Sequence, residues 1–247
     1  MVSKKQSKFI KSLKIKKYRS KEMCFFVEGR KNTLEGLASG LSLKYLLATS
    51  EFLKDNESEL QFIESQVIEC TSSDLKELGT FTTNNDCLAV FDIPTAPKEV
   101  DFSDHVVVLD GVSDPGNLGT IIRTLDWYGI NQLVCSPDTT DLYSPKVLNA
   151  TMGSYTRVKV YYKELEGFLK TVPNPSYGAD LEGIPLPDLK SDKPIVLVMG
   201  SESHGISDAI ANQLTDKVTI PKIGEAESLN VAIATGILCH HLKFNLS

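Results

Sequence analysis

The sequence predicts an α/β protein built as two successive units, and three observations carry that reading. Strand-like apolar runs alternate with helical patterns along the chain, the runs become longer and more continuously apolar past residue 100, and a proline-bounded stretch separates the two regimes. That stretch, Pro94-Thr-Ala-Pro97-Lys-Glu, breaks helices and stiffens the backbone, so residues 1–97 are expected to form a small α/β unit and residues 98–247 a larger one. A chain of 247 residues, 41% hydrophobic and 23% charged, has the material for both cores.

In the first unit, strands are expected at Cys24–Glu28, Leu43–Ala48, Val67–Cys70 and Cys87–Phe91, alternating with helices near Arg30–Ser39, Glu57–Ser65 and Ser73–Leu78. In the second, strands are expected at His105–Leu109, Gln132–Cys135, Val158–Tyr161, Pro194–Met199 and Lys217–Ile220. A run such as Ile195-Val-Leu-Val-Met199 belongs to a strand buried on both faces, which implies a mostly parallel sheet with helices on each side. Ligands of such sheets bind beyond the carboxyl ends of the strands, so the segments that follow them should carry the chemistry.

The net charge of −6 conceals a polarised distribution: residues 1–31 hold eleven Lys or Arg against Glu22 and Glu28, a balance of +9, which leaves −15 for the rest. Such a density fits a polyanion partner, and Phe9, Ile10 and Leu13 at helical spacing suggest one amphipathic basic helix. A solvated tail or a membrane-surface helix has the same charge signature. There is no apolar window of membrane-spanning length and no apolar core of a secretory signal, so the chain is expected to work in the cytoplasm. Cys24, Cys70, Cys87, Cys135 and Cys239 lack metal-binding spacing and read as reduced thiols, and the adjacent His240 and His241 diverge on a helix; no metal site is expected.

Three strand-to-helix segments hold the candidate chemistry. In Leu109-Asp-Gly-Val-Ser-Asp-Pro-Gly-Asn-Leu-Gly-Thr-Ile-Ile-Arg123, Asn117 is expected to cap a helix running to about Tyr128, and Arg123 to reach back over Gly119 toward a phosphate. In Met199-Gly-Ser-Glu-Ser-His-Gly-Ile-Ser207 the G-x-x-x-x-G spacing mimics a P-loop, but Ile206 stands where the lysine would be; Glu202 is either an acceptor at the strand tips or a solvating charge. In the run from Ile220 to Gly236, Ser228 is the expected N-cap of a long apolar C-terminal helix, and Asn230 in its first turn is either a used side chain or a second cap.

Read together as D-P-G-N-x-G-x-x-x-R, G-x-E-x-x-G and I-P-x-x-G-x-x-x-S-L-N-V-x-x-A, these segments resemble, in order and spacing, the three signature motifs of the SpoU family of RNA ribose 2′-O-methyltransferases. The resemblance spans roughly residues 105–245 and implies a SPOUT-type methyltransferase domain with a trefoil knot that binds S-adenosyl-L-methionine. It implies backbone contacts to that cofactor at Gly200, Ile220 and Leu229, and active-site roles for Asn117, Arg123, Glu202, Ser228 and Asn230. The opening Phe26-Val-Glu-Gly-Arg-Lys-Asn resembles the small ribosomal-protein-like RNA-binding domain that many members carry in front. A homodimer whose active site borrows residues from both subunits is also implied. Ser203 departs from the family pattern, which commonly has Gly there, and is expected to alter the backbone of that loop.

The reaction implied is in-line attack of a ribose 2′-oxygen on a sulfonium methyl, which breaks the sulfur–methyl bond and leaves neutral S-adenosylhomocysteine, so that alignment and removal of the hydroxyl proton are the enzyme's main tasks. A guanidinium almost never deprotonates, so Arg123 is assigned to gripping the phosphate beside the target ribose rather than to acting as base. Ribosomal RNA is the favoured substrate on account of the front domain, with transfer RNA the alternative. A non-catalytic RNA-binding assembly factor would share the fold. A hydride-transfer enzyme is disfavoured because no G-x-G-x-x-G follows a strand.

Overall fold

The computed structural model describes residues 2–95 and 99–246; the linker expected at Pro94–Glu99 falls partly, at 96–98, outside the described residues. In chain order the elements are α1 (Lys4–Ser12), α2 (Lys16–Glu22), β1 (Cys24–Glu28), α3 (Arg30–Ala38), β2 (Leu43–Ala48), α4 (Ser50–Asp55), α5 (Glu57–Leu60), β3 (Val67–Glu69), α6 (Ser72–Leu78) and β4 (Cys87–Asp92). They continue with β5 (Val106–Asp110), α7 (Pro115–Trp127), β6 (Gln132–Cys135), α8 (Pro145–Thr151), β7 (Lys159–Tyr162), α9 (Leu165–Leu169), β8 (Ser176–Pro185), β9 (Val196–Gly200), α10 (Asp208–Ala211), β10 (Asp216–Thr219) and α11 (Val231–Phe244).

The first compact unit comprises the chain up to Thr95 together with Asp141–Thr156. Its sheet has the order β1-β4-β2-β3, antiparallel except for the β2–β3 pair. Phe26, Leu47, Leu88 and Val90 of that sheet, Leu75 and Leu78 of α6, and Ile10 and Leu13 from the N-terminal segment form one buried cluster. Of the apolar side chains that suggested an amphipathic basic helix, Ile10 and Leu13 are therefore core residues and Phe9 packs against them half-buried, and the helix is two: Leu13–Ile15 separates α1 from α2. Of the helix expected at Glu57–Ser65 only the single turn of α5 forms; α4, which the sequence reading omitted, precedes it and ends at Asn56, whose φ of −127° and amide bond back to the Phe52 carbonyl at 2.6 Å separate the two helices.

Asp141–Thr156 reaches the first unit by packing that no local pattern announces. Tyr143 lies with its ring centroid 4.7 Å from that of Phe25, and the Tyr155 hydroxyl donates to the Asn32 carbonyl at 2.9 Å. Arg19, buried in α2, donates through Nη1 to the Leu13 carbonyl at 2.8 Å and through Nε to Asp141 at 3.1 Å. A cut at residue 97 makes no provision for this excursion of the later chain.

The second unit holds a six-stranded, wholly parallel sheet in the order β10-β8-β9-β5-β6-β7. The central strands are buried up to their half-buried last residues, Asp110 and Gly200, as their apolar runs require, and Val106, Val108, Val196 and Val198 pack on one face against Leu165, Phe168 and Ile210. β8, Ser-Tyr-Gly-Ala-Asp-Leu-Glu-Gly-Ile-Pro, escapes a sequence reading because two glycines, two acids and a proline dilute its apolar signal; its pairing partners on both sides make it a strand. α11 and α7 pack on each other. At the amino ends of the strands, His105 accepts the Ile195 N–H at 3.0 Å and Lys243 of α11 pairs with Asp104 at 2.8 Å.

The Arg19–Asp141 pair is nearly dry, so removing one partner strands the other. Arg19→Ala is expected to lower the unfolding free energy by about 3 kcal/mol, read from urea titration, whereas Arg30→Ala, which breaks an exposed pair with Asp55, should leave the midpoint near wild type. His105 supplies a pH signature. Burial pushes its imidazole below the ordinary range, so the folded state favours the neutral ring; stability is then full above about pH 6.5 and falls as pH drops from there toward the depressed value. The urea midpoint should decline through that window, and His105→Gln should flatten the decline.

Candidate active site

A parallel sheet presents all its strand carboxyl ends along one edge, and the crevice forms where successive connections leave in opposite directions. That point lies between β5 and β9: the chain runs from β5 to β6 and β7 on one side, while β8 and β10 lie on the other. Register places Asp110, at the tip of β5, directly opposite Gly200, at the tip of β9. The first two motif segments thus leave from adjacent strand ends.

From Gly200 the second segment folds back at once. Ser201 and Gly205 exchange backbone hydrogen bonds at 3.0 Å in each direction, and a Cβ on Gly200 would lie 2.1 Å from the Gly205 carbonyl carbon, so only glycine fits. Gly205 completes the reversal at φ +65°. Ser203, at the turn's tip, needs no such freedom: among the described residues the only non-glycine positions with positive φ are Met23 and Met152. Serine there leaves the turn unstrained, and its hydroxyl lies 2.7 Å from His204 Nδ1. Past the turn, Asp110 accepts both the backbone N–H and the hydroxyl of Ser207 at 2.8 Å, tying the second segment to the first.

Three side chains, one from each segment, form a directional chain. The Asn230 amide donates to Asn117 Oδ1 at 3.0 Å, and the Asn117 amide donates to Glu202 Oε1. A carboxylate only accepts, so Glu202 draws the Asn117 NH2 group toward it; this turns the Asn117 carbonyl toward Asn230 and leaves the Asn230 carbonyl for its own helix. There it accepts from Ala232 N–H at 2.9 Å and Ile233 N–H at 3.4 Å. The N-cap of α11 is accordingly Asn230 and not Ser228, because capping and the link to Asn117 use opposite ends of one amide. Likewise the N-cap of α7 is Asp114, which accepts the Asn117 N–H at 2.8 Å and is followed by Pro115 in the first turn; Asn117 is thereby freed to face Glu202.

The remaining expected residues distribute around this chain. Gly200 stands two residues before Glu202, and Leu229 directly before Asn230. Ile220 follows the end of β10 on the same sheet edge, with β8 between it and β9. Ser228 and Leu229 belong to the stretch 221–230, which is exposed throughout, so its backbone is accessible to a ligand. Gly119 is buried, and Arg123 lines a groove between the two helices, with Thr120, Thr124 and Trp127 of α7 on one side and Ile233, Ile237 and His240 of α11 on the other. Asp110 and Asp114 were missed; an acid closing the first apolar strand, and an acid directly before Pro115, were the available signals.

The site is rich in oxygen acceptors and carries a carboxylate, which suits a donor with a positively charged sulfonium centre. Among the described residues no group of three or more His, Cys, Asp or Glu side chains is placed to hold a metal ion, and no helix is long and apolar enough to cross a membrane. All five cysteines are free, and burial pushes the Cys87 thiol up to about 12.

Residues 104–240 match the SpoU rRNA methylase family, and residues 4–89 match the MRM3-like substrate binding domain. The chain is 32% identical over 240 residues to the 23S rRNA (guanosine(2553)-2′-O)-methyltransferase RlmP of Bacillus subtilis, covering 94% of each protein. Its structure superposes on an AdoMet-bound rRNA methyltransferase from Sinorhizobium meliloti with TM-score 0.88 at 28% identity, covering 100% of this chain and 98% of that one. It also superposes on a TrmH-family structure from Porphyromonas gingivalis with TM-score 0.86 at 39% identity, covering 98% of both. Fold and motif segments together define an RNA methyltransferase that uses S-adenosylmethionine. The chain belongs to the SpoU rRNA methylase family.

The two uses of Asn230 are separable. Asn230→Ala removes the cap and is expected to cost about 1 kcal/mol in thermal unfolding. Asn230→Asp keeps the acceptor for Ala232 and Ile233 but cannot donate to Asn117, so its stability should match wild type. If the amide chain organises the loops, calorimetric titration with S-adenosylmethionine will show weaker binding for both variants.

Proposed function

We propose that this protein transfers the methyl group of S-adenosylmethionine to a ribose 2′-hydroxyl of ribosomal RNA in the cytoplasm. The observation that carries the proposal is the Asn230–Asn117–Glu202 chain at the sheet's switch point, where the family's three motif segments meet. Support for the substrate comes from the 94% coverage of a relative named for 2′-O-methylation of 23S rRNA.

S-adenosylmethionine supplies a sulfonium methyl open to attack by an oxygen nucleophile. Gly200, Ile220 and Leu229 hold it largely through their backbones, in the trefoil-knotted arrangement that the resemblance implies. Glu202 offers a carboxylate to the positive centre and, with Asn117, Ser228 and Asn230, orients the loops around it. Arg123 grips the phosphate beside the target ribose; its planar fork can hold two phosphate oxygens at once, aligning the 2′-oxygen.

The active form proposed is a homodimer joined along α7 and α11. Trp127 and Ile233 line the groove that holds Arg123 and are 84% and 55% exposed, a large apolar area for a single chain. A second copy seated there covers it and brings Arg123 to a subunit boundary, which accords with a site shared between subunits.

Incubating the protein with tritiated cofactor and either ribosomal or transfer RNA, then mapping resistance of ribose sites to alkaline cleavage, tests the reading. Label should enter ribosomal RNA at a 2′-position; label in transfer RNA alone would replace the substrate, and cofactor binding without transfer to any RNA would leave an assembly factor. Arg123→Lys should reduce turnover at least ten-fold at neutral pH, since an ammonium cannot reproduce the two-point grip.

A further inference from the structure

The charge of the N-terminal segment is divided between internal structure and surface. Lys11 pairs with Glu77, Lys14 donates to the Gly79 carbonyl, Arg19 is buried against Asp141, and Arg30 pairs with Asp55. Lys4, Lys5 and Lys8 on α1 and Lys16, Lys17 and Lys21 on α2 are all exposed. The acids of the same unit are concentrated elsewhere in the chain: Glu51–Glu77 holds eight Asp or Glu against Lys54 and Lys76.

Apolar side chains stand in the open among these lysines. Tyr18 is 39% exposed, with Ile15 (55%) three residues before it and Met23 (52%) at the C-cap of α2. On a helix, Ile15, Lys21 and Glu22 are the surface neighbours of Tyr18 at i−3, i+3 and i+4, so one acid stands among the cations, against Lys16, Lys17 and Lys21 on the same helix. α2 itself is held firmly. Arg19 anchors it from beneath, and the helix closes in a left-handed turn at Met23, whose carbonyl accepts the Ile93 N–H at 2.7 Å. A half-exposed aromatic ring on an anchored helix, flanked by cations, is what a single-stranded nucleic acid uses: the ring stacks on an unpaired base while ammonium groups meet the backbone phosphates.

We propose that α2 is a single-stranded RNA platform, with Tyr18 stacking on a base and Lys16, Lys17 and Lys21 contacting the phosphates on either side. This deepens the RNA methyltransferase reading and rests on it for the identity of the polyanion. A duplex offers no free base face, so the platform selects loops or unpaired segments of the substrate. An anionic membrane would attract the same lysines, but a seven-residue helix has little apolar face to bury in lipid, and a rigid aromatic ring favours a base.

Fluorescence anisotropy with the full chain, a labelled single-stranded RNA and a duplex of equal length tests this. Tyr18→Ala should weaken single-strand binding on the order of ten-fold and leave duplex binding unchanged. Tyr18→Phe should stay within about two-fold of wild type, because stacking needs the ring and not the hydroxyl. Lys21→Ala should weaken binding and shallow the salt dependence by about 0.7 in log–log slope. Unaltered melting curves will confirm that the variants are folded, and the retention expected of Tyr18→Phe keeps the test sharp. Equal affinity of Tyr18→Ala and wild type, an equal loss on duplex, or preferential sedimentation with vesicles of anionic phospholipid would overturn the platform alone. Wild-type protein that binds neither RNA would overturn the RNA reading with it.

Discussion

The second unit depends on the polarity of one short hydrogen-bond chain. Glu202 can only accept, and that single fact orients Asn117, which orients Asn230, which then has its carbonyl free to cap α11. A side chain from the turn after β9 thereby sets the amide orientation at the start of the C-terminal helix. The links are exposed, so each contributes modestly to stability; their consequence lies in holding three otherwise independent loops in one arrangement.

That chain can form only because the sheet is parallel and in register. Asp110 opposite Gly200 brings the first and second segments to adjacent strand ends, and the backbone of Gly205 and Ile206 packs where a Gly200 side chain would be. Asp110 then fastens the exit of the turn through Ser207. The dry valine layers of β5 and β9 supply the stiffness beneath, so the polar groups at the tips are held by a rigid scaffold.

In the first unit the governing constraint is burial of charge. Arg19 inside the unit is tolerable because Asp141 and the Leu13 carbonyl receive its guanidinium, and the partner comes from a stretch more than a hundred residues away. The same contact immobilises α2 and leaves its lysines and Tyr18 outward. Counting eleven basic residues in the first 31 overstated the free charge, since four of them are committed within the unit.

By itself the sequence determined the α/β class, the parallel sheet and the three motif segments, because continuous apolar runs and fixed glycine, proline and amide spacings are local signals that survive in one dimension. Tertiary structure alone decided the rest. Asp114 displaced Asn117 as a cap, and Asn230 displaced Ser228, because each amide had a partner in another segment that no local propensity encodes. Asp141–Thr156 joined the first unit through Arg19, Phe25 and Asn32, and β8 became a strand through its neighbours. Arg123 came to line the groove beside α11 because helix packing sets rotation about the α7 axis. Spacing within a segment specifies which side chains share a face; which face meets which partner is settled only when distant segments compete for the same polar atoms and the same buried space.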